Sequence, residues 1–238
     1  MDTALHQVVG TIETAILNQN YALAAFLDIE GAFNNVESHA IQLALSKLGV
    51  HNAVNRWLLN MLRSREVTST IGSNSSTRFV SRGTPQGGVI SPLLWLLVIN
   101  DVLLDLKDSG VKVVAYADDV VMLATGFCTN TISKKLELAL SRLSDWANRC
   151  GLGVNPSKTE LILFTRRKKV PQIKLPKLNG AELRLSSEAK YLGVIIDSAL
   201  KWTKNVEARA KKAQAAFYMC RKAIGSTWGI SPKMTYWL

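Results

Sequence analysis

Apolar positions recur at helical spacing through Leu5, Val8, Val9, Ile12 and Ile16, so the chain opens on a helix. The polar run Asn18, Gln19, Asn20 ends that period, and the uninterrupted apolar stretch Tyr21–Leu27 has the length and composition of a buried strand. Helical patterns follow over 37–48, closed by Gly49, and over 53–63, where Trp57, Leu58 and Leu62 share a side. Residues 66–72 and 77–81 read as a hairpin around the polar SNSS segment between them. The glycine-rich loop Gly83–Gly88 leads into an apolar helix over 91–106, with Ser91 or a neighbour able to cap it and Pro92 suited to its first turn. A second hairpin is expected over 112–116 and 120–124. Ile132, Leu136, Leu140, Leu143, Trp146 and Ala147 trace an amphipathic helix stopped by Gly151. Short strands are expected at 160–165 and 190–197, then a basic helix from 202 to 223.

Long helices alternating with few strands predict an α+β layer structure, one small sheet covered by helices. No internal repeat or low-complexity segment interrupts it. At 238 residues and 47% hydrophobic, the chain can build one ample core with a small appended subdomain, which excludes a disordered protein. Cys128, Cys150 and Cys220 form neither a disulfide framework nor a CxxC metal signature and read as core thiols in a reducing compartment. Residues 1–20 lack the basic-then-apolar layout of a signal peptide, so an intracellular, non-secreted chain is expected. The longest apolar run, Val89 to Leu106, contains Ser91, Pro92, Asn100, Asp101 and Asp105 and falls short of a membrane span, so no membrane partner is expected.

Charge is unevenly placed. Residues 1–165 hold 13 Lys and Arg against 14 Asp and Glu, whereas residues 166–238 hold 16 against 4. Segregation on this scale points to an acidic polymer as partner, nucleic acid above all; the plain alternative is a solvated surface. No linker is legible before Arg166, where the balance changes.

Within AYADDVVML (115–123), Asp118 and Asp119 stand side by side among apolar neighbours. Like charges in such surroundings repel and are costly to desolvate, so they need a cation or hydrogen bonds. Asp28, at the end of the first apolar strand, is a third carboxylate able to converge on them. Oxygen-only clusters suit Mg²⁺ or Mn²⁺, which take remaining ligands from substrate phosphates. An isolated Asp-Asp pair is also an ordinary turn.

The order and spacing of several blocks decide between these readings. FLDIEGAFNNV (26–36), RGTPQGGVISPLLWLLVIND (82–101), AYADDVVMLATG (115–126), GLGVNPSKTELILF (151–164) and KYLGVIID (190–197) resemble polymerase motifs A to E of the reverse transcriptases of LINE-type, non-LTR retrotransposons, those of arthropods in particular. The blocks are collinear and cover nearly the whole chain.

That resemblance implies a polymerase palm at 1–165 (motifs A to D), a primer-grip region at 166–200 (motif E), and the start of a basic helical thumb at 201–238. It implies metal binding by Asp28, Asp118, Asp119 and the Ile29 carbonyl, with Mg²⁺ (or Mn²⁺) as cofactor and RNA template, DNA primer and dNTPs as partners. Phe33 matches the gate that excludes a ribose hydroxyl. Gln86 and Gly87 match the nucleotide contact, and Lys158 the lysine that protonates leaving pyrophosphate. Tyr191, Leu192 and Gly193 match the primer-grip turn. Arg166, Arg167, Lys168 and Lys169, then Arg209, Lys211 and Lys212, are candidate phosphate contacts; the first four also resemble a nuclear localisation signal. A nuclear location with a cytoplasmic phase is implied for target-primed integration. The stretch before Asp28 is too short for fingers, so the expectation is a palm with a partial thumb, fingers missing, and weak or absent polymerisation alone. An RNA-dependent RNA polymerase is the rival enzyme, which Phe33 and the YADD form oppose. A non-catalytic nucleic-acid-binding remnant is the rival outside enzymes.

Overall fold

In the computed structural model, which describes residues 2–167, 169 and 171–222, the first apolar period is helix α1 (Asp2–Leu17) and the run after it strand β1 (Tyr21–Glu30). Helices α2 (Ser38–Lys47) and α3 (Asn52–Arg63), hairpin β2 (Arg65–Ile71) and β3 (Asn74–Val80), and helix α4 (Ser91–Asp105) follow. The second hairpin is β4 (Lys112–Tyr116) and β5 (Asp119–Gly126), after which come α5 (Thr129–Arg149), β6 (Gly153–Val154) and β7 (Glu160–Phe164). Two small hairpins, β8 (Lys177–Leu178) with β9 (Ala181–Glu182) and β10 (Glu188–Tyr191) with β11 (Val194–Asp197), precede α6 (Thr203–Lys222).

The sheet orders its strands β4-β5-β1-β6, with β7 also pairing β1, and every pairing is antiparallel. β1 lies inside it and is covered on both faces, which explains its unbroken apolar run. Tyr21, Leu23, Ala25, Leu27 and Ile29 face the core shared with α2, α3, α4 and α5, while Ala22, Ala24 and Phe26 face α1 and the β10–β11 hairpin. Each fully buried Leu or Phe in such a layer contributes roughly 1.5–3 kcal/mol.

Several expectations change. The first hairpin turns at Gly72 and Ser73 alone, since Ile71 pairs Asn74. Gly72 supplies the positive φ of 62°, and the hydroxyls of Thr68 and Thr77, 2.9 Å apart, extend pairing into the polar segment. Ser91 does not cap α4; its hydroxyl turns back and donates to the Pro85 carbonyl at 2.6 Å. The single strand expected over 190–197 is a hairpin, because the chain reverses at Leu192-Gly193. Of the cysteines only Cys150 is buried; Cys128 is exposed and Cys220 partly so. The β8–β9 hairpin turns at Asn179-Gly180, the commonest type I′ turn pair, with φ of 50° and 79°.

No helix among the described residues is long and apolar enough to cross a membrane.

Candidate active site

The register of the sheet brings two of the three acids together. Asp28 on β1 pairs directly with Asp119 on β5, on the face shared with Phe26 and Val121. Residues so paired have Cβ atoms about 4.5–5.5 Å apart. Asp118 sits at the tip of the β4–β5 hairpin, where Ala117 is forced into the left-handed region at φ 53°. The Trp95 indole on α4 donates to the Ala117 carbonyl at 2.7 Å, and Ile29 N–H donates to the Asp118 carbonyl at 3.3 Å. The tip is therefore held from the helix behind it and from the neighbouring strand. The Ile29 side chain itself is buried on the opposite face.

Burial first, and then the charges of Asp118 and Asp28, raise the Asp119 carboxyl above its ordinary value. Among the described residues no group of three or more His, Cys, Asp or Glu is gathered closely enough to hold a metal ion. The donor chemistry nevertheless fits a hard divalent cation: mutually repelling carboxylates alone, with a cationic group already drawn to them. That group is Lys158, whose Nζ lies 3.9 Å from Asp28 Oδ2 and 2.7 Å from Glu30 Oε1. Hydrogen bonding from Lys158, then from Asn155, lowers the Glu30 carboxyl, and Glu30 in turn raises the Lys158 ammonium. Glu30 and Asn155 went unread in the sequence; the clue was an acid two residues beyond Asp28, on the same side of a strand.

The loop before α4 closes over the turn after β1. Phe33 is half-buried, its ring 6.1 Å from that of Trp95, and its carbonyl accepts from Thr84 N–H at 2.6 Å. Gly83, at φ 73°, has no room for a side chain, since a Cβ would stand 2.4 Å from the Asn34 carbonyl oxygen and 2.5 Å from that of Phe33. Gln86 and Gly87 (φ 82°) are exposed at the loop's crown. Trp95 and Gly83 were legible only as core and loop residues.

On the other side, the β10–β11 turn has Leu192 at φ 49° and Gly193 at φ 78°, the type I′ arrangement. Tyr191 is buried against Phe26 with ring centroids 5.9 Å apart, and its hydroxyl has no hydrogen-bond partner. Burial, then the charge of Asp119, push its phenol up to about 12. Tyr191, Asp28, Asp119 and Lys158 line one open cleft of about 80 Å³. Larger clefts of about 460 and 660 Å³ lie against α1 and α5, away from the acids. A polymeric substrate calls for an open face, so their size does not relocate the site.

The basic residues separate. Arg166, Arg167 and Lys169 are exposed; Lys168 lies outside the described residues, as do residues 223–238 of the expected thumb. Arg167 is engaged in the fold: its Nη2 donates to the Gln19 carbonyl at 2.7 Å and its guanidinium stacks 4.7 Å from the Tyr21 ring centre. Arg209, Lys211 and Lys212 are exposed on α6, which buries no residue along its length. Asp197 anchors the start of that helix by accepting from Ala199, Lys201 and Trp202 N–H.

An antiparallel sheet of this order, packed on helices and carrying acids on two adjacent strands, is a polymerase fold. It matches apo telomerase from Candida tropicalis, truncated from its C-terminal domain, with a TM-score of 0.59 and 11% identity over 83% of this chain and 39% of that one. A second telomerase from the same organism, in complex with the TWJ fragment of telomeric RNA, gives 0.58 and 10% identity over 85% and 33%. The chain belongs to the reverse transcriptase (RNA-dependent DNA polymerase) family, whose profile matches residues 3–196. Its relatives are proteins of non-LTR elements. It is 32% identical to the probable RNA-directed DNA polymerase from transposon X-element of Drosophila melanogaster and 29% identical to that from mobile element jockey of Drosophila funebris, in each case over 85% of this chain. The chain spans 22% of the length of each.

Proposed function

We propose that this chain forms the catalytic palm of a retrotransposon RNA-directed DNA polymerase, joining a dNTP to a primer 3′-hydroxyl opposite an RNA template. The observation that carries this reading is the pairing of Asp28 with Asp119 beside Asp118, within the family's order of motifs. Asp28, Asp118, Asp119 and the Ile29 carbonyl would hold two Mg²⁺ or Mn²⁺ ions, which activate an attacking hydroxyl and offset charge on the departing phosphates. Lys158 gives its proton to the leaving pyrophosphate. Phe33, braced by Trp95, lies against the sugar C2′ and excludes a ribonucleotide. Gln86 and Gly87 approach the nucleotide, and Tyr191, Leu192 and Gly193 seat the primer end. Residues 1–165 act as palm, 166–200 as primer grip, and 201–238 begin a thumb whose Arg209, Lys211 and Lys212 bind duplex phosphates, with Arg166 and Lys169 adding contacts. Action in the nucleus goes with this role.

Primer extension on an RNA template with Mg²⁺ or Mn²⁺ tests the reading. Incorporation of dNTP over NTP, abolished by Asp118→Asn, is expected; activity unchanged by that substitution overturns the assigned role. Preference for NTP would make the enzyme an RNA polymerase. The exposed, basic α6 favours a second reading, in which the chain binds nucleic acid without chemistry. Salt-sensitive binding with no extension by the unsubstituted chain would select it.

A further inference from the structure

The turn that presents Lys158 is tied together from within. The Asn155 carbonyl accepts from Lys158 N–H and Thr159 N–H, both at 3.2 Å, and from the Thr159 hydroxyl at 2.9 Å. Its side-chain Oδ1 accepts from Ser157 N–H at 2.9 Å and the Ser157 hydroxyl at 2.7 Å. Glu30 then holds this turn at two points, because one oxygen, Oε1, accepts from Asn155 Nδ2 at 3.2 Å and from Lys158 Nζ at 2.7 Å. The lysine is aimed from both ends, and its ammonium comes to rest 3.9 Å from Asp28 Oδ2.

We propose that Glu30 is the positioning residue for Lys158, stationing the ammonium at the rim of the aspartate site until an arriving nucleoside triphosphate draws it across. This rests on the reading of Lys158 as the group that meets the leaving pyrophosphate. The contact has the strength such an exchange needs. Its side chains are 55% and 39% exposed, so the pair adds little to folding. A triphosphate carries several negative charges where Glu30 carries one, and it outcompetes a single screened carboxylate for the same cation. Glu30 touches neither the reacting atoms nor the nucleotide in this scheme; it acts through Lys158.

Zero-length carbodiimide coupling of the full chain reads the pair directly, since a carboxylate and an amine in contact condense to an amide. A Glu30–Lys158 cross-linked peptide is expected by mass spectrometry, falling at least fivefold when dNTP, Mg²⁺ and primer–template are added. Absence of the cross-link, or its persistence with the nucleotide bound, overturns the proposal. In primer extension, Glu30→Gln is expected to lower kcat about tenfold, a fraction of the roughly 10²–10⁴-fold a general acid supplies, with KM for dNTP changed less than twofold and the melting temperature unchanged. The same substitution added to Lys158→Ala is expected to cost nothing further; an equal loss in both backgrounds overturns the proposal. A chain that shows the nucleotide-sensitive cross-link yet incorporates NTP in preference to dNTP refutes the DNA-polymerase reading and leaves the Glu30 contact standing.

Discussion

Asp28 and Asp119 are directly opposed cross-strand partners, held on one face of the sheet with Tyr191 packed beside them. Their closeness is a cost that Lys158 offsets from the Asp28 side alone, 3.9 Å from its Oδ2, and Asp119 registers it.

The Asp119 carboxyl is raised, so between its unfolded value, near 3.9, and its higher folded value the folded chain keeps a proton the unfolded chain has released. Its contribution to stability is full on the acid side and is lost as pH rises through the folded value. At neutral pH in EDTA, Asp119→Asn is therefore expected to raise the melting temperature by about 1–3 °C while abolishing primer extension. A lower melting temperature in calorimetry contradicts the account.

A divalent metal bound there would answer the same repulsion. Adding Mg²⁺ or Mn²⁺ is expected to raise the melting temperature of the unsubstituted chain, and chelation to reverse it. Asp28→Asn should blunt that response at least severalfold.

Ala117 holds a left-handed conformation that costs an L-residue about 1–2 kcal/mol. Ala117→Gly is expected to raise the urea midpoint by an amount worth roughly 0.5–1 kcal/mol, the flexibility glycine adds to the unfolded chain offsetting part of the relief. Trp95→Phe, which removes the indole bond to the Ala117 carbonyl, should lower stability by about 1–3 kcal/mol through the unsatisfied carbonyl.

Gly83 touches the Phe33 and Asn34 carbonyls where a Cβ would overlap backbone that has nowhere to move. Gly83→Ala is expected to destabilise by more than about 2 kcal/mol, the combined scale of overpacking and a forced positive φ, and to displace Phe33. Discrimination against NTP should fall with it in a competition assay.

Arg167 and the α6 cations should part company. Arg167→Ala is expected to lower stability and leave nucleic-acid affinity within twofold, because its guanidinium is bound to Gln19 and Tyr21. Joint replacement of Arg209, Lys211 and Lys212 by Ala should weaken duplex binding and flatten its dependence on salt by about two to three counterions.

The covered strand β1, the amphipathic α5 and the hairpin carrying Asp118 were legible because burial imposes a period or an unbroken apolar run on local sequence. The aspartates were legible for the opposite reason, as charges breaking such runs. The turn at Gly72-Ser73 and the bent-back Ser91 were misread because competing hydrogen bonds, Thr68 with Thr77 and Ser91 with Pro85, come from partners a local pattern does not show. By itself the sequence determined the α+β class and the family, and it singled out Asp28, Asp118 and Asp119 as the candidate acids. Only the tertiary structure decided that Asp28 faces Asp119, that Trp95 clamps Ala117, that Arg167 is committed to the fold, and that Glu30 holds Lys158. Each joins segments far apart in the chain, and register and side-chain reach across a sheet are set by global packing, which no local window contains.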